Sequence, residues 1–131
     1  MKKVSKGMVF GVFDGLHPGH QYFLTEAAKQ CDRLIVVVTL DEMVQQFKNR
    51  LPKYSFAERV AKIKSFNPSF VITENDLVIG QWQVLKTHQP DMVFLGHDQE
   101  VITREMARLG VPTTVLPAHY PDKYKSSLLN K

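Results

Sequence analysis

Two histidines, His17 and His20, lie three positions apart just after an apolar run. The run, residues 8–13, is typical of a buried strand, and Pro18 suits the first turn of a helix that we predict over residues 20–30. Imidazoles beside a helix N-terminus meet the positive end of the helix dipole and backbone N–H groups without a helical partner. The pair is therefore placed to bind an anion, and phosphate is the commonest biological anion at such sites.

The residues around this pair resemble a known signature. Segment 11–20 is similar to the G-x-F-D-x-x-H-x-G-H motif of the nucleotidyltransferase superfamily, which includes glycerol-3-phosphate cytidylyltransferase, the FAD synthetases and pantetheine-phosphate adenylyltransferase. Val12 departs from many members, which carry Thr, Ser or Asn at that position. The alternative is a pair of surface histidines in a helix-capping loop. By the resemblance, the nucleotide is contacted by Val12, Phe13, Asp14 and Gly19 as well as by the two histidines.

Composition fits one domain spanning residues 1–131, with 44% apolar and 23% charged residues. One cysteine excludes a disulfide framework, and no apolar stretch is long enough to span a bilayer. The N-terminus does not resemble a signal peptide, so we expect a cytoplasmic protein without a membrane partner. The net charge of +4 comes from scattered Lys and Arg residues, which favours a polyphosphate substrate over nucleic acid.

Short apolar runs alternate with helix-like stretches along the chain. This order predicts an α/β fold, a Rossmann-like doubly wound sheet of about five parallel strands in a single domain. A capping box at Ser55 and Glu58 marks one helix start, and Gly110 marks one helix end. Cys31 is expected late in the first helix, as a buried and inert thiol. The predicted strands are 8–13, 34–39, 70–73, 92–95 and 113–116, and the predicted helices are 20–30, 41–47, 56–66, 81–87 and 100–109.

Ligands of such sheets bind beyond the carboxyl ends of the strands, near the point where strand order reverses. Segment 96–99 follows the fourth predicted strand and resembles the G-x-D-[QW] turn of cytidylyltransferase-like families. The resemblance implies that Gly96, Asp98 and Gln99 hold the base and ribose. The alternative for Asp98 is a helix N-cap.

Further candidates rest on the same resemblance. Lys125, Ser126 and Ser127 resemble the end of the superfamily's second signature, R-T-x-G-I-S-S/T-T-x-I, and would hold phosphate. The arginine of that signature would fall near Pro121 and is missing, so Lys123 and Lys125 are the candidates to replace it. Lys48 and Arg59 resemble a lysine and an arginine that lie near the phosphates in the glycerol-3-phosphate cytidylyltransferase family. The alternative is that each side chain lies on a solvated helix face.

The resemblance implies a nucleotidyltransferase of the EC 2.7.7 type. A nucleoside monophosphate passes from a nucleoside triphosphate to a small phosphorylated acceptor, with CTP as the first choice and ATP as the second. His17, His20 and Lys48 are the expected catalytic residues, because positioning and charge stabilisation supply most of this catalysis. Mg²⁺ is expected to be held mainly by the triphosphate, with Asp14 as a candidate ligand, and a homodimer is expected. The alternative is a nucleotide-binding module that has lost turnover.

Overall fold

A parallel five-stranded sheet forms the centre of the molecule in the computed structural model, which describes residues 4–75, 81–96 and 99–116. The strand order is β3-β2-β1-β4-β5, and every pairing is parallel. The predicted fold class is confirmed. The strands are β1 (Val4–Gly11), β2 (Cys31–Val38), β3 (Val71–Glu74), β4 (Met92–Leu95) and β5 (Thr113–Val115), and the helices are α1 (Pro18–Ala28), α2 (Asp41–Lys48), α3 (Phe56–Phe66), α4 (Gln83–His88) and α5 (Glu100–Leu109).

Helices cover both faces of the sheet, because neighbouring residues of a strand point to opposite sides. Val9 packs in one apolar cluster with Leu24 of α1 and Ile63 of α3. Met8 packs in a second cluster with Met106 of α5. Residues 8–10 of β1 are apolar and buried on both faces, as expected for a central parallel strand.

Several predicted boundaries are correct. The capping box at Ser55 and Glu58 is formed, and α3, β4 and α5 begin and end where the sequence predicted. Pro18 lies in the first turn of α1 as predicted, although α1 begins and ends two residues before the predicted range of 20–30. Gly110 caps α5 with a φ of 74°, in the left-handed region that glycine adopts without strain.

Other boundaries differ from the prediction for identifiable reasons. β1 begins at Val4, before the predicted start. It ends at Gly11, before the predicted end, because the chain turns away at Phe13, which has a φ of 52°. Cys31 is buried as expected, but it is the first residue of β2 and does not lie in α1. α4 begins two residues late, at Gln83, since Trp82 has a left-handed φ of 51°.

No helix in the described parts of the chain is both long enough and apolar enough to cross a membrane.

Strand order reverses between β1 and β4, which lie side by side at the centre of the sheet. The chain leaves β1 toward α1 on one face and leaves β4 toward α5 on the other. A crevice for a ligand is expected at this point. We expect it between the segment after Gly11, which carries both histidines, and the segment that starts at Gly96.

Candidate active site

His17 is the N-cap of α1, and its own ring satisfies the helix terminus. Its Nδ1 atom accepts hydrogen bonds from the backbone N–H groups of Gly19, at 3.1 Å, and His20, at 3.4 Å. The N–H of Gln21 donates to the carbonyl of His17, at 3.1 Å, and Pro18 has no N–H. The N–H groups of Gly19 and His20 are therefore already capped by the His17 ring, while the contact between Gly19 and the nucleotide stays a prediction.

The same geometry fixes the chemical state of His17. Since Nδ1 accepts two hydrogen bonds, the proton of the neutral imidazole lies on Nε2, which becomes the donor. Partial burial lowers the pKa of His17 below its usual value, and a backbone hydrogen bond within the residue opposes that shift. A neutral donor at the end of a helix dipole is suited to phosphate oxygens.

His20 stands against two other rings. Its imidazole stacks on that of His17, with ring centroids 3.6 Å apart and planes inclined by 22°. The ring of Phe13 meets His20 edge to face, at 5.6 Å and 79°. Aromatic packing on both sides fixes the orientation of the His20 ring.

The backbone between β1 and α1 is held in an unusual conformation. Phe13 and Leu16 both have left-handed φ values, 52° and 43°, and both side chains are buried. A Cβ atom added to Gly11 would lie 2.7 Å from the Phe13 ring, so only glycine fits there. Such strain persists only where the surroundings impose it, and it is typical of ligand-binding turns. We call residues 12–17 the histidine turn.

Asp14 ties the histidine turn to the segment between α2 and α3. Its two carboxylate oxygens accept the N–H groups of Lys53, at 2.7 Å, and Tyr54, at 2.9 Å. Burial acts to raise the pKa of Asp14, but these two bonds and the charges of Arg59 and Arg50 lower it overall. The carboxylate is therefore ionised and already bonded on both oxygens.

Arg59 is buried inside the protein, whereas the sequence predicted that it contacts phosphate. Its side chain is fully buried, with 0% exposed, and its guanidinium bonds to three separate segments. Nε donates to the carbonyl of Tyr54, at 3.1 Å, and one terminal nitrogen donates to the carbonyl of Val12, at 2.9 Å. The other terminal nitrogen pairs with Asp41, at 2.6 Å. A buried charge needs such partners, which explains why the guanidinium turns inward.

Sequence reasoning missed two polar residues that support this arrangement. Asp41 opens α2 and also accepts the N–H of Phe56, at 3.3 Å. Asn75 follows β3 and accepts the N–H of Leu40 at the start of α2, at 2.8 Å. The burial of Arg59 had one signal in the sequence, because Arg59 lies four positions before Ile63 and therefore on the same, buried face of α3.

The side chain of Gln99 connects Gly96, the first residue after β4, to β1. Gln99 accepts the N–H of Gly96 at Oε1, at 2.9 Å, and donates from Nε2 to the carbonyl of Phe10 in β1, at 2.8 Å. The amide thus bridges the ends of the two central strands. Both ends of the amide are used within the protein, so a base contact by this group would require it to leave these partners.

The other predicted site residues divide into two groups. Lys48 is exposed at the end of α2, while Val12 offers its carbonyl to Arg59. Asp98, Lys125, Ser126 and Ser127 lie outside the described residues, as do Lys123 and Pro121.

Mg²⁺ takes oxygen ligands from carboxylates, waters and substrate phosphates. Within residues 4–75, 81–96 and 99–116, no group of three or more His, Cys, Asp or Glu side chains is placed to hold one. Asp14 is a poor fit as a metal ligand, because both of its oxygens already accept backbone N–H groups.

Comparisons with known proteins agree with this geometry. Residues 8–126 match the cytidylyltransferase-like family. The FAD synthase of Methanosarcina mazei is 31% identical over 86% of this chain and 76% of its own length, and that of Thermococcus sibiricus is 31% identical over 97% and 87%. The crystal structure of the lipopolysaccharide core biosynthesis protein from Thermoplasma volcanium covers 85% of this chain and 93% of its own, with a TM-score of 0.71 and 26% identity. The chain belongs to the cytidylyltransferase-like family and is a nucleotidyltransferase.

Proposed function

We propose that this enzyme transfers AMP from ATP to FMN, forming FAD and pyrophosphate. The observation that carries the proposal is the similarity to archaeal FAD synthases along most of both chains. This reverses the order that the sequence favoured, in which CTP preceded ATP. The acceptor, FMN, is a small phosphorylated molecule of the expected class.

In this reaction a phosphate oxygen of FMN attacks the α-phosphorus of ATP, and the bond to the β-phosphate oxygen breaks. The protein must align these atoms and stabilise charge on the phosphoryl oxygens. His17 donates from Nε2, since its Nδ1 is occupied by the helix terminus. His20, stacked on His17, donates beside it and assists the departing pyrophosphate. Each donor of this kind contributes about a hundredfold to turnover.

The cations and hydroxyls predicted for the triphosphate keep their places in the proposal. Lys48 is exposed at the end of α2, and its ammonium group is proposed to contact the phosphates. Lys125, Ser126 and Ser127 are proposed to complete the phosphate site, while Asp98 and Gly96 border the base. Mg²⁺ would enter with ATP and neutralise its charge, while Asp14 keeps its two backbone partners.

We also propose a cytoplasmic homodimer. Small chains gain stability by association, and the side chains of Val101 and Val115 are 66% and 50% exposed. Light scattering at high protein concentration should give about twice the chain mass of 15.0 kDa. A mass of one chain would reject the dimer without affecting the proposed reaction.

The test is a pyrophosphate-release assay with Mg²⁺, the four nucleoside triphosphates, and FMN, glycerol 3-phosphate and 4′-phosphopantetheine as acceptors, with chromatography of the products. We expect FAD from ATP and FMN, and no product after both histidines are replaced by alanine. Turnover with CTP and another acceptor would reject the proposed substrates. Nucleotide binding without turnover of any pair would support the binding-module alternative instead.

A further inference from the structure

We propose that Arg59 is a positioning residue that sets the orientation of the His20 ring, acting through Val12 and Phe13. The inference rests on the proposed function, in which His20 contacts the transferred phosphate. The burial and the hydrogen bonds of Arg59 support this positioning role better than they support direct binding of phosphate.

The first step is the bond between Arg59 and the histidine turn. A terminal nitrogen of the guanidinium donates to the Val12 carbonyl, at 2.9 Å, although the two residues are 47 positions apart. The guanidinium is itself held by the Tyr54 carbonyl and by Asp41. The Arg59 side chain is fully buried, although that of Asp41 is 37% exposed, so water is kept from the guanidinium more than from its carboxylate partner.

The second step runs from Val12 to the ring of Phe13. The Val12 carbonyl belongs to the peptide that precedes Phe13, whose φ of 52° is costly for a residue with a side chain. Arg59 fixes that peptide and so supports the strained conformation. The conformation places the Phe13 ring over Gly11, where it is buried.

The third step is the contact between Phe13 and His20. The edge-to-face geometry, with ring centroids 5.6 Å apart, allows His20 few orientations on that side. A rotation of the Val12–Phe13 peptide would move the Phe13 ring and remove one of the two ring contacts that orient His20. Misplacement of a catalytic group by about 1 Å can cost about a hundredfold in rate.

The fork of an arginine is required because its three acceptors lie on three segments: Val12 before α1, Asp41 in α2 and Tyr54 before α3. A lysine ammonium would keep the charge beside Asp41, but it has no planar fork to reach the two carbonyls at once. Arg59→Lys therefore keeps the positive charge but removes the hydrogen bonds that the planar guanidinium makes to the two carbonyls. The matched control is Arg33→Lys, since Arg33 is exposed near the opposite end of β2.

The deciding measurement uses NMR of the ligand-free protein, with labelled histidine and phenylalanine rings. Arg59→Lys should shift the ring resonances of His20 and Phe13, because stacked rings shift each other's protons strongly, whereas Arg33→Lys should leave them in place. Unchanged His20 and Phe13 resonances in folded Arg59→Lys protein would overturn the proposal. If this variant does not fold, Asp41→Asn serves in its place, and it should shift the same resonances by removing the charged partner of Arg59.

Kinetics with ATP and FMN distinguish positioning from phosphate contact. We expect Arg59→Lys to lower kcat by about tenfold or more, with the KM for ATP changed less than about twofold. A raised KM with unchanged kcat would instead make Arg59 a phosphate ligand and overturn the inference. If the unmodified enzyme makes no FAD, the proposed function fails, while the NMR measurement still decides whether Arg59 orients His20.

Discussion

The two turns that border the crevice follow adjacent strands, yet they are anchored in different ways. The histidine turn after β1 is fixed by charged groups, since Asp14 and Arg59 bind it to the segment between α2 and α3. The turn at Gly96 after β4 is fixed by the neutral amide of Gln99. Charged hydrogen bonds are stronger than neutral ones and cost more to break. Among the described residues, the turn that carries the proposed chemistry is thus the one anchored by charged groups.

The largest effect is expected from removing the charge that anchors the histidine turn. Arg59→Met should lower the free energy of unfolding by about 3 kcal/mol or more, because it leaves the carbonyls of Val12 and Tyr54 and the Asp41 carboxylate without their donor. Urea denaturation measures the change. Lys64→Met, at an exposed position of the same helix, is the control and should stay within about 0.5 kcal/mol. Equal losses in the two variants would show that the buried arginine adds no special support.

The next effect separates capping by His17 from catalysis by His17. His17→Asn should keep the N-cap, since asparagine is a good capping residue, but should lose the Nε2 donor and about a hundredfold in turnover. His17→Ala should lose the same activity and in addition about 1 kcal/mol of stability. Steady-state FAD synthesis and thermal unfolding report the two quantities. Near-normal turnover of the asparagine variant would remove His17 from the catalytic residues.

A smaller effect is expected at the neutral anchor. Gln99→Glu should accept the Gly96 N–H as before, but an ionised carboxylate cannot donate to the Phe10 carbonyl. The expected loss is about 1–3 kcal/mol at neutral pH, and it should shrink in acid, where the protonated carboxyl regains a donor. Urea denaturation of the variant at pH 7 and pH 4 tests this dependence. A loss that is the same at both pH values would show that the bridge to β1 carries little energy.

The smallest expected effect is the acid dependence of the Asp14 anchor. The folded protein lowers the pKa of Asp14 below 3.8, so its contribution to stability is present above that value and is lost as the pH falls through the folded pKa. The stability difference between the unmodified protein and Asp14→Asn should therefore be constant near pH 7 and decline below pH 3.8. A difference that does not change down to pH 2 would mean that the carboxylate charge does not strengthen the anchor.

Sequence alone predicted elements whose ends carry local signals. The capping box of α3 and Gly110 after α5 are formed by residues close in the chain, and those ends were placed correctly. The start of β1 was missed because Ser5 and Lys6 are polar, although the strand pairs there with β2. Its end was missed because the left-handed φ of Phe13 depends on packing against Gly11 and on distant contacts.

The candidate site was predictable only in part, for the same reason. The positions of His17 and His20 beside a helix terminus followed from Pro18 and the preceding apolar run. The direction of the Arg59 side chain could not be predicted in this way, because a charged residue on a helix is usually solvated. Its partners Val12, Asp41 and Tyr54 are brought together only by the fold. Likewise, the capping of α1 by Nδ1 of His17 could not be predicted, because it depends on the orientation of the imidazole.

The strand order has a consequence for folding kinetics. β1 pairs with β2, its neighbour in sequence, but it joins β4 through contacts such as the Lys6 N–H to Asp91, 85 residues away. Short chain closures precede long ones because they lose less entropy. We expect β1, α1, β2, α3 and β3 to form an early unit and β4 and α5 to dock afterwards. Pulsed hydrogen exchange should then show the amides of β4 protected after those of β1 and β2, so the crevice would be completed only in the final step.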